Sequence, residues 1–482
     1  MTRNDNAQGG YDLTVVPEPL DKPLGLVRFL RTVRDNRIAV FSARAFNSDL
    51  VEAKVLFQRF VILNHPDYIK HVLVDNHANY LKGRLARKIL SPLLGNGLLT
   101  SEGDYWRRQR RIVAPAFHHK RIARLSGVIG ECGLATVERW RRVAKSREAI
   151  DILPEMMGLT MEIIGKALFS RDLGPSVREL GDAVSIVIND VGKGSPIDFV
   201  GLPEWLPRRR SREAKTAVAL LEGTIYGIIT ARRASRETRD DLLAMLLEAR
   251  DEATGEGMTD HQLRDEIMTL FAAGHETTGV ALTWIWYLLS QHPAVEYRLH
   301  TELDRVLRGR TPDVKDLDNL PYTRMVVEEA MRLFPPAFAI VRVAVSDDMI
   351  GGHHIRAGTL VTISPYLVHR NPKIWPDPTR FEPERFTPAR VSGRHRFSYL
   401  PFGGGPRICI GNNLAMMEVR ILLAVIAQAF RLRLAPGHRV EAQGRVTLRP
   451  RYGMRMTLEP RIQSTVSDGV QDARGRYQSK ST

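Results

Sequence analysis

Residues 402–411 read FGGGPRICIG. Three glycines and a proline exclude a regular helix before Cys409, whereas GNNLAMMEVRILLAVIAQAF, from Gly411 onward, is strongly helix-forming. The cysteine therefore sits at the mouth of a helix, where free N–H groups and the positive dipole end stabilise a thiolate. Glycines let the backbone come close to a flat ligand with no side chain in the way. Arg407 adds a cation for anionic groups on that ligand. Other readings compete. A lone cysteine is most often a small buried apolar residue. A glycine loop suggests phosphate binding, but the Gly-Lys-Ser/Thr ending of a P-loop is absent, and no second Cys or His stands at zinc-like spacing. Cys132, inside GECGLATVERW, has none of these surroundings and reads as packing.

Outward from this stretch the chain reads as mainly α with a small β part. Apolar residues recur at three- and four-residue spacing over 212–233, 260–292, 318–334 and 412–430. Strand-like alternation is confined to Val51–Leu63, Ile340–Val345, Thr359–Ile363 and Arg445–Leu458. The composition of the 482 residues, 43% hydrophobic and 26% charged, excludes a disordered or collagen-like chain and supplies a large core. Two cysteines exclude a disulfide scaffold and suit a reducing compartment. Residues 1–19 read as a polar tail, 20–461 as one continuous domain, and 462–482 as a disordered tail with too little apolar material to pack. No stretch approaches the roughly 18 uninterrupted apolar residues of a spanning helix, so a cytoplasmic protein without a transmembrane anchor is expected.

The longest periodic segment, 260–292, opens with a capping box, Thr259 and Gln262, and stops at Pro293. Its centre is AGHETT, Ala273–Thr278. Gly followed by an acid and two β-branched threonines is a poor local choice for a buried helix, and local rules tend to break where function intrudes. A polar strip on a half-exposed helix is the competing reading. Zinc is excluded, because the second His of H-E-x-x-H would fall on Gly279.

FGGGPRICIG matches the haem-binding signature of the cytochrome P450 family, F-G-x-G-x-R-x-C-x-G, at every fixed position, and three further motifs follow in order; the resemblance covers about residues 20–460. It implies the cytochrome P450 fold, with a long central helix over haem b and the ligand loop before a C-terminal helix. By this resemblance Cys409 is the axial thiolate, the ligand type that favours O–O cleavage. Phe402, Arg407 and Gly411 belong to the same cofactor loop. AGHETT resembles the oxygen-activating segment, which makes Glu276 and Thr277 the acid–alcohol pair that relays protons to dioxygen, while Ala273 and Gly274 leave room for oxygen and substrate. The family's W-x-x-x-R motif falls on Trp106 and Arg110, and the arginine of the strand after the Pro-Pro turn is Arg342. With Arg407 these supply guanidinium partners for the propionates. Glu329 and Arg332 resemble the E-x-x-R motif, completed by Arg385 of Pro383-Glu384-Arg385-Phe386, with the structural role of fixing the loop under the haem. Leu270, Ala273, Phe338, Ile340 and Met454 are expected to line an apolar pocket.

The resemblance implies a haem-dependent monooxygenase that inserts one atom of O2 into an apolar small molecule, by hydroxylation or epoxidation. Its two electrons would come from a ferredoxin or flavodoxin with its NAD(P)H reductase, since the chain ends about seventy residues after the ligand loop, leaving no room for a fused flavin domain. A haem sensor or carrier without turnover, and a peroxide-using enzyme of the same fold, are the alternatives. The net charge of +16 admits nucleic acid, anionic membrane or an acidic protein. No nucleic-acid motif accompanies it. Peripheral membrane contact would use IDFVGLPEWLPRRRSR, residues 197–212. Between Trp106 and Gly130 there is no acid, but Arg107, Arg108, Arg110, Arg111, Lys120, Arg121 and Arg124 are basic; this predicts a basic face that steers an acidic electron donor.

Overall fold

Helix propensity and capping place the longest element first. The computed structural model describes residues 15–22, 24–170, 175–193, 211–235 and 239–461. The expectations for residues 1–14, 197–210 and 462–482 therefore lie outside the described residues. The helices that position the site are α1 (Gly103–Val113), α2 (Ser126–Ala144), α3 (Ile152–Phe169), α4 (Pro175–Lys193), α5 (Arg212–Ala234), α6 (Asp260–Gln291), α7 (Pro321–Leu333) and α8 (Asn412–Ala429). At the start of α6 the Thr259 hydroxyl accepts from the Gln262 N–H and the Gln262 side chain accepts from the Thr259 N–H, as the capping box predicts. Helix α6 is buried along most of its length, with α3 laid against it. Trp284 of α6 stacks on Phe334, the residue that ends α7, with ring centroids 4.0 Å apart. One apolar core runs through these helices from Val15 to Leu458, and a smaller one lies under the largest sheet.

That sheet is β1 (Leu50–Val55), β2 (Gln58–Leu63), β3 (Tyr80–Leu81), β4 (Ile340–Ala344) and β5 (Leu360–Ile363), in the order β1-β2-β5-β4-β3. Only β2 and β5 pair in parallel. The continuous alternation over Val51–Leu63 resolves into a hairpin, because Leu56 takes a left-handed φ of 50°. The expectation for Arg445–Leu458 needs a larger correction. A short hairpin of β6 (Ala442–Gly444) and β7 (Leu448–Pro450) lies apart from the strand Arg455–Pro460, which pairs with Phe430–Leu434 and Ile150–Asp151. Between them Gly453 has φ 71°, and a Cβ there would fall 2.1 Å from the Asp151 carboxylate. Close approach of two chain segments, invisible in the alternation pattern, divides the strand.

The i, i+3 pair Glu329 and Arg332 of α7 is fully buried. Arg332 Nε donates to Glu329 at 2.6 Å and Nη2 at 2.8 Å, while Arg385 Nε stands 3.4 Å from the same carboxylate. Arg332 also donates to the carbonyls of His369 and Pro378, each at 2.7 Å, and of Arg380 at 3.0 Å. The planar fork thus closes the segment after β5 onto α7. Removing one partner of such a pair strands a charge without water. Arg332→Met is expected to lower the free energy of unfolding by about 3–5 kcal/mol, read as a shift in urea midpoint followed by circular dichroism.

Candidate active site

Cys409 stands two residues before Gly411, the N-cap of α8, and its N–H donates to the Phe402 carbonyl at 3.0 Å. The loop that carries it depends on Gly405, whose φ is 69° and whose missing Cβ would lie 1.9 Å from the Leu73 carbonyl oxygen. Cys409 is exposed. Burial by the surrounding protein still pushes its thiol above the ordinary value, against the Gly411 N–H and the charge of Arg110, which both pull it down. A metal would overcome that burial, since a coordinating thiol loses its proton outright. Among the described residues no group of three or more His, Cys, Asp or Glu side chains could hold a bare ion. The donor set, one thiol alone, fits an iron already held by a macrocycle.

At the centre of α6 Ala273 is exposed and Thr277 half-buried, one turn apart on one face, with Ala272 and Gly274 half-buried beside Ala273. Thr277 Oγ1 donates to the Ala273 carbonyl at 2.8 Å. Glu276 is 3% exposed and turns elsewhere, accepting a hydrogen bond from the Thr447 hydroxyl at 2.5 Å. Burial pushes its carboxyl up, opposed by Thr447 and by the charge of Arg449. Glu276 and Thr277 are neighbours in sequence but face different surroundings, and no hydrogen bond joins them. His275 is buried with neither ring nitrogen hydrogen-bonded, and burial lowers it to about 4, so it is neutral. A Cβ on the half-buried Gly274 would meet Ile164 of α3 at 3.0 Å, so its smallness serves the approach of the two helices.

The cations expected around the cofactor gather with two residues that sequence reasoning missed. Arg407 donates through Nη2 to the Ser101 carbonyl and to Glu102, lies 4.2 Å over the Trp106 ring, and leaves its buried Nη1 without a partner. Arg342 donates only to its neighbour's carbonyl, Val341, at 3.0 Å; burial first, then Arg407, depress it to about 10. Lys82 is lowered to about 7 by burial, Arg407 and Arg342, with Glu102 opposing. The signal for Lys82 is the sheet register: β3 ends at Leu81, paired with Val343 beside Arg342. Three buried cations against one carboxylate are costly unless an anion completes them. A ligand with two carboxylates fits this cluster. Arg110 turns inward, where its charge acts on Cys409.

The expected substrate lining is partly corrected. Met454 is fully buried, its N–H bound to Asp151, and Leu270 and Phe338 are 7% and 5% exposed, so these three pack in the core and offer a ligand little surface. Ile340 is half-buried against the smaller core. Leu99 and Val341, which the sequence did not single out, carry open apolar surface. The basic face is also corrected. Tertiary folding brings Asp251 to 3.2 Å from Arg108 and 3.3 Å from Arg111, Asp240 to Arg124, and Asp104 pairs with Arg107. Lys120 and Arg121 stay exposed. Acids more than a hundred residues away thus answer three of the seven cations of the local run, and Asp104 a fourth.

A family model described as Cytochrome P450 matches residues 24–454. Cyclooctatin synthase of Streptomyces melanosporofaciens is 39% identical over 417 residues, 86% of this chain and 89% of that protein. Cyclooctat-9-en-7-ol 5-monooxygenase of the same organism is 36% identical over 392 residues, 81% and 84% respectively. The crystal structure of a cytochrome P450DA heme domain superposes with a TM-score of 0.77 at 25% identity, covering 93% of this chain and 98% of that one.

The lowered Lys82 makes a test of the cation cluster. A lysine depressed in the folded state binds fewer protons there than in the unfolded chain between about 7 and the ordinary lysine value, so stability rises with pH across that window. Stripped of haem, the wild type should gain urea resistance from pH 7 to 10 more steeply than Lys82→Met. With haem restored, the two slopes should converge, because a bound anion returns Lys82 toward its usual value.

Proposed function

The chain belongs to the cytochrome P450 family, and from that premise we propose which of its residues carry the family's haem-dependent insertion of one oxygen atom into an apolar substrate. The observation that carries the reading is the lone Cys409 thiol beside a buried excess of positive charge. Cys409 holds the iron as thiolate, with Arg110 and the Gly411 N–H favouring its anion. Arg342, Arg407 and Lys82 receive the propionates, and Trp106 keeps the Arg407 guanidinium flat. The cofactor is haem b, because Cys132 and Cys409 are the chain's two cysteines and cannot make a pair of thioether links. Bound there, the haem supplies activation of dioxygen, with two electrons delivered from outside.

Residues 20–461 act as one haem domain. Ala273 leaves space on the open face of α6, and Thr277 turns its hydroxyl from the Ala273 carbonyl toward that space to pass a proton. Glu276 replenishes the proton from the buried side, since each O–O cleavage takes up two protons in a site kept otherwise dry. Leu99 and Val341 present the apolar surface that a substrate buries. The relative named for cyclooctat-9-en-7-ol guides the substrate class toward large, mostly hydrocarbon olefins and alcohols. Among the described residues no helix is long and apolar enough to cross a membrane. We assign the electron supply to a ferredoxin or flavodoxin with its reductase and the location to the cytoplasm, where two unpaired cysteines stay reduced.

The reduced carbon monoxide complex of the wild type should show the red-shifted Soret band of a thiolate ligand, and Cys409→Ser should lose it while Cys132→Ser keeps it; an unchanged band in Cys409→Ser removes the assignment. Thr277→Ala should bind haem and substrate as before but divert reducing equivalents to peroxide. Product per NAD(P)H consumed would then fall several-fold; coupling at the wild-type level would end the relay role.

A further inference from the structure

The buried acid of α6 is held by a hydroxyl from the far end of the chain. Thr447 lies in the turn between β6 and β7, is 5% exposed, and donates to Glu276 Oε1 at 2.5 Å across 171 residues of sequence. Among the described residues this is the one hydrogen bond made to the Glu276 carboxylate. The turn is itself fixed to α6. Trp284, two turns further along the helix, donates through Nε1 to the Leu448 carbonyl at 2.8 Å, and the Leu448 N–H donates to the Pro336 carbonyl at 2.9 Å. Thr447 is thus clamped on both sides, by α6 and by the chain that follows α7. Gly444 allows the turn to close, since a Cβ there would lie 2.9 Å from Ile38 and 3.1 Å from Phe338.

The electrostatic surroundings are sparse. Arg449 of β7 is the charge that acts on Glu276; its guanidinium donates to Asn189 of α4, and Arg445 stands beyond it. On α6 itself, His275 is neutral. Helix α3 presents Met157, Thr160 and Ile164 to this part of α6, none of them charged. Arg264 and Asp265 of α6, with Glu222 of α5, are paired three turns toward the N-terminus. Burial raises this carboxyl, and the Thr447 hydroxyl opposes the rise while tying down one of its oxygens.

We infer that Thr447 is a positioning residue for proton delivery: its hydroxyl fixes the rotamer of Glu276 while the carboxyl exchanges protons on the side of Arg449 and Asn189, before they pass toward Thr277. The inference rests on the relay role given to Glu276 above. A donor to the charged form favours it, and an acid tuned near working pH exchanges protons fastest.

The test uses the haem-loaded, substrate-free protein. The carboxylic C=O stretch of Glu276 is identified in infrared difference spectra as the band lost in Glu276→Gln, and its intensity is titrated with pH. Thr447→Val keeps the shape but removes the donor; its midpoint should rise by about one pH unit, and Thr447→Ser should restore it. The apparent pKa in the pH profile of product per electron pair should rise in step, with the Soret band of the reduced carbon monoxide complex unchanged. An unshifted band in Thr447→Val overturns the inference, as does a shifted band with an unmoved coupling profile. Wild-type coupling in Glu276→Gln would instead overturn the relay reading itself, and this inference with it.

Discussion

Glu329 carries a negative charge that water does not reach, and satisfying it organises the cysteine side of the molecule. Arg332 and Arg385 enclose the carboxylate, and the Glu382 N–H adds a third donor at 2.9 Å. The remaining donors of Arg332 reach the His369 carbonyl, and His369 continues the connection. Its Nδ1 faces the Arg332 carbonyl at 3.2 Å, and its Nε2 accepts the Leu400 N–H at 2.8 Å. Burial first, then the Arg332 charge, holds this ring well below its ordinary value, so it is neutral, with the proton on Nδ1 set by these two partners. Leu400 in turn accepts the Gly403 N–H at 3.2 Å. The position of the 402–411 loop is therefore inherited, bond by bond, from one buried ion pair.

Helix α6 meets a different constraint. It is buried along most of its length, yet its centre holds a glycine, a histidine, an acid and two threonines. Each finds a separate neighbour: Gly274 the side chain of Ile164, the His275 carbonyl the Thr160 hydroxyl at 2.7 Å, Glu276 the Thr447 hydroxyl, and Thr277 the carbonyl one turn back. At this centre Ala273 is exposed, and Ala272, Gly274 and Thr277 are half-buried. The helix thus separates a buried acid from a partly open face, with about 100° of helical rotation per residue as the divider.

Charge is distributed by the same economy of contacts. The chain has an excess of +16, but much of the basic run in α1 and the turns after it is answered by acids from 240–256. Lys82, Arg342 and Arg407 gather inside, where Glu102 is the one carboxylate that acts on all three. An interior surplus of this kind favours an anionic ligand, since binding to the folded chain alone adds to its stability.

The sequence by itself determined the elements whose causes are local. The glycine-rich approach to Cys409, the capping box of α6 and the prolines that bound α6 and α7 are short-range steric and hydrogen-bonding effects, and each element begins or ends within a few residues of its expected place. The Glu329–Arg332–Arg385 grouping was legible only through a motif, since i, i+3 pairs are common on solvated faces and carry no sign of burial. What the tertiary structure alone decided were the long-range partners. Lys82 joins Arg342 through a strand register, Asp251 reaches Arg108 across the fold, Met454 sinks into the core because Gly453 meets Asp151, and Thr447 reaches Glu276 because β7 is clamped to α6. Periodicity reports which way a side chain points from its own backbone. It holds no information about which distant segment will be waiting there, and buried electrostatics depends on that neighbour.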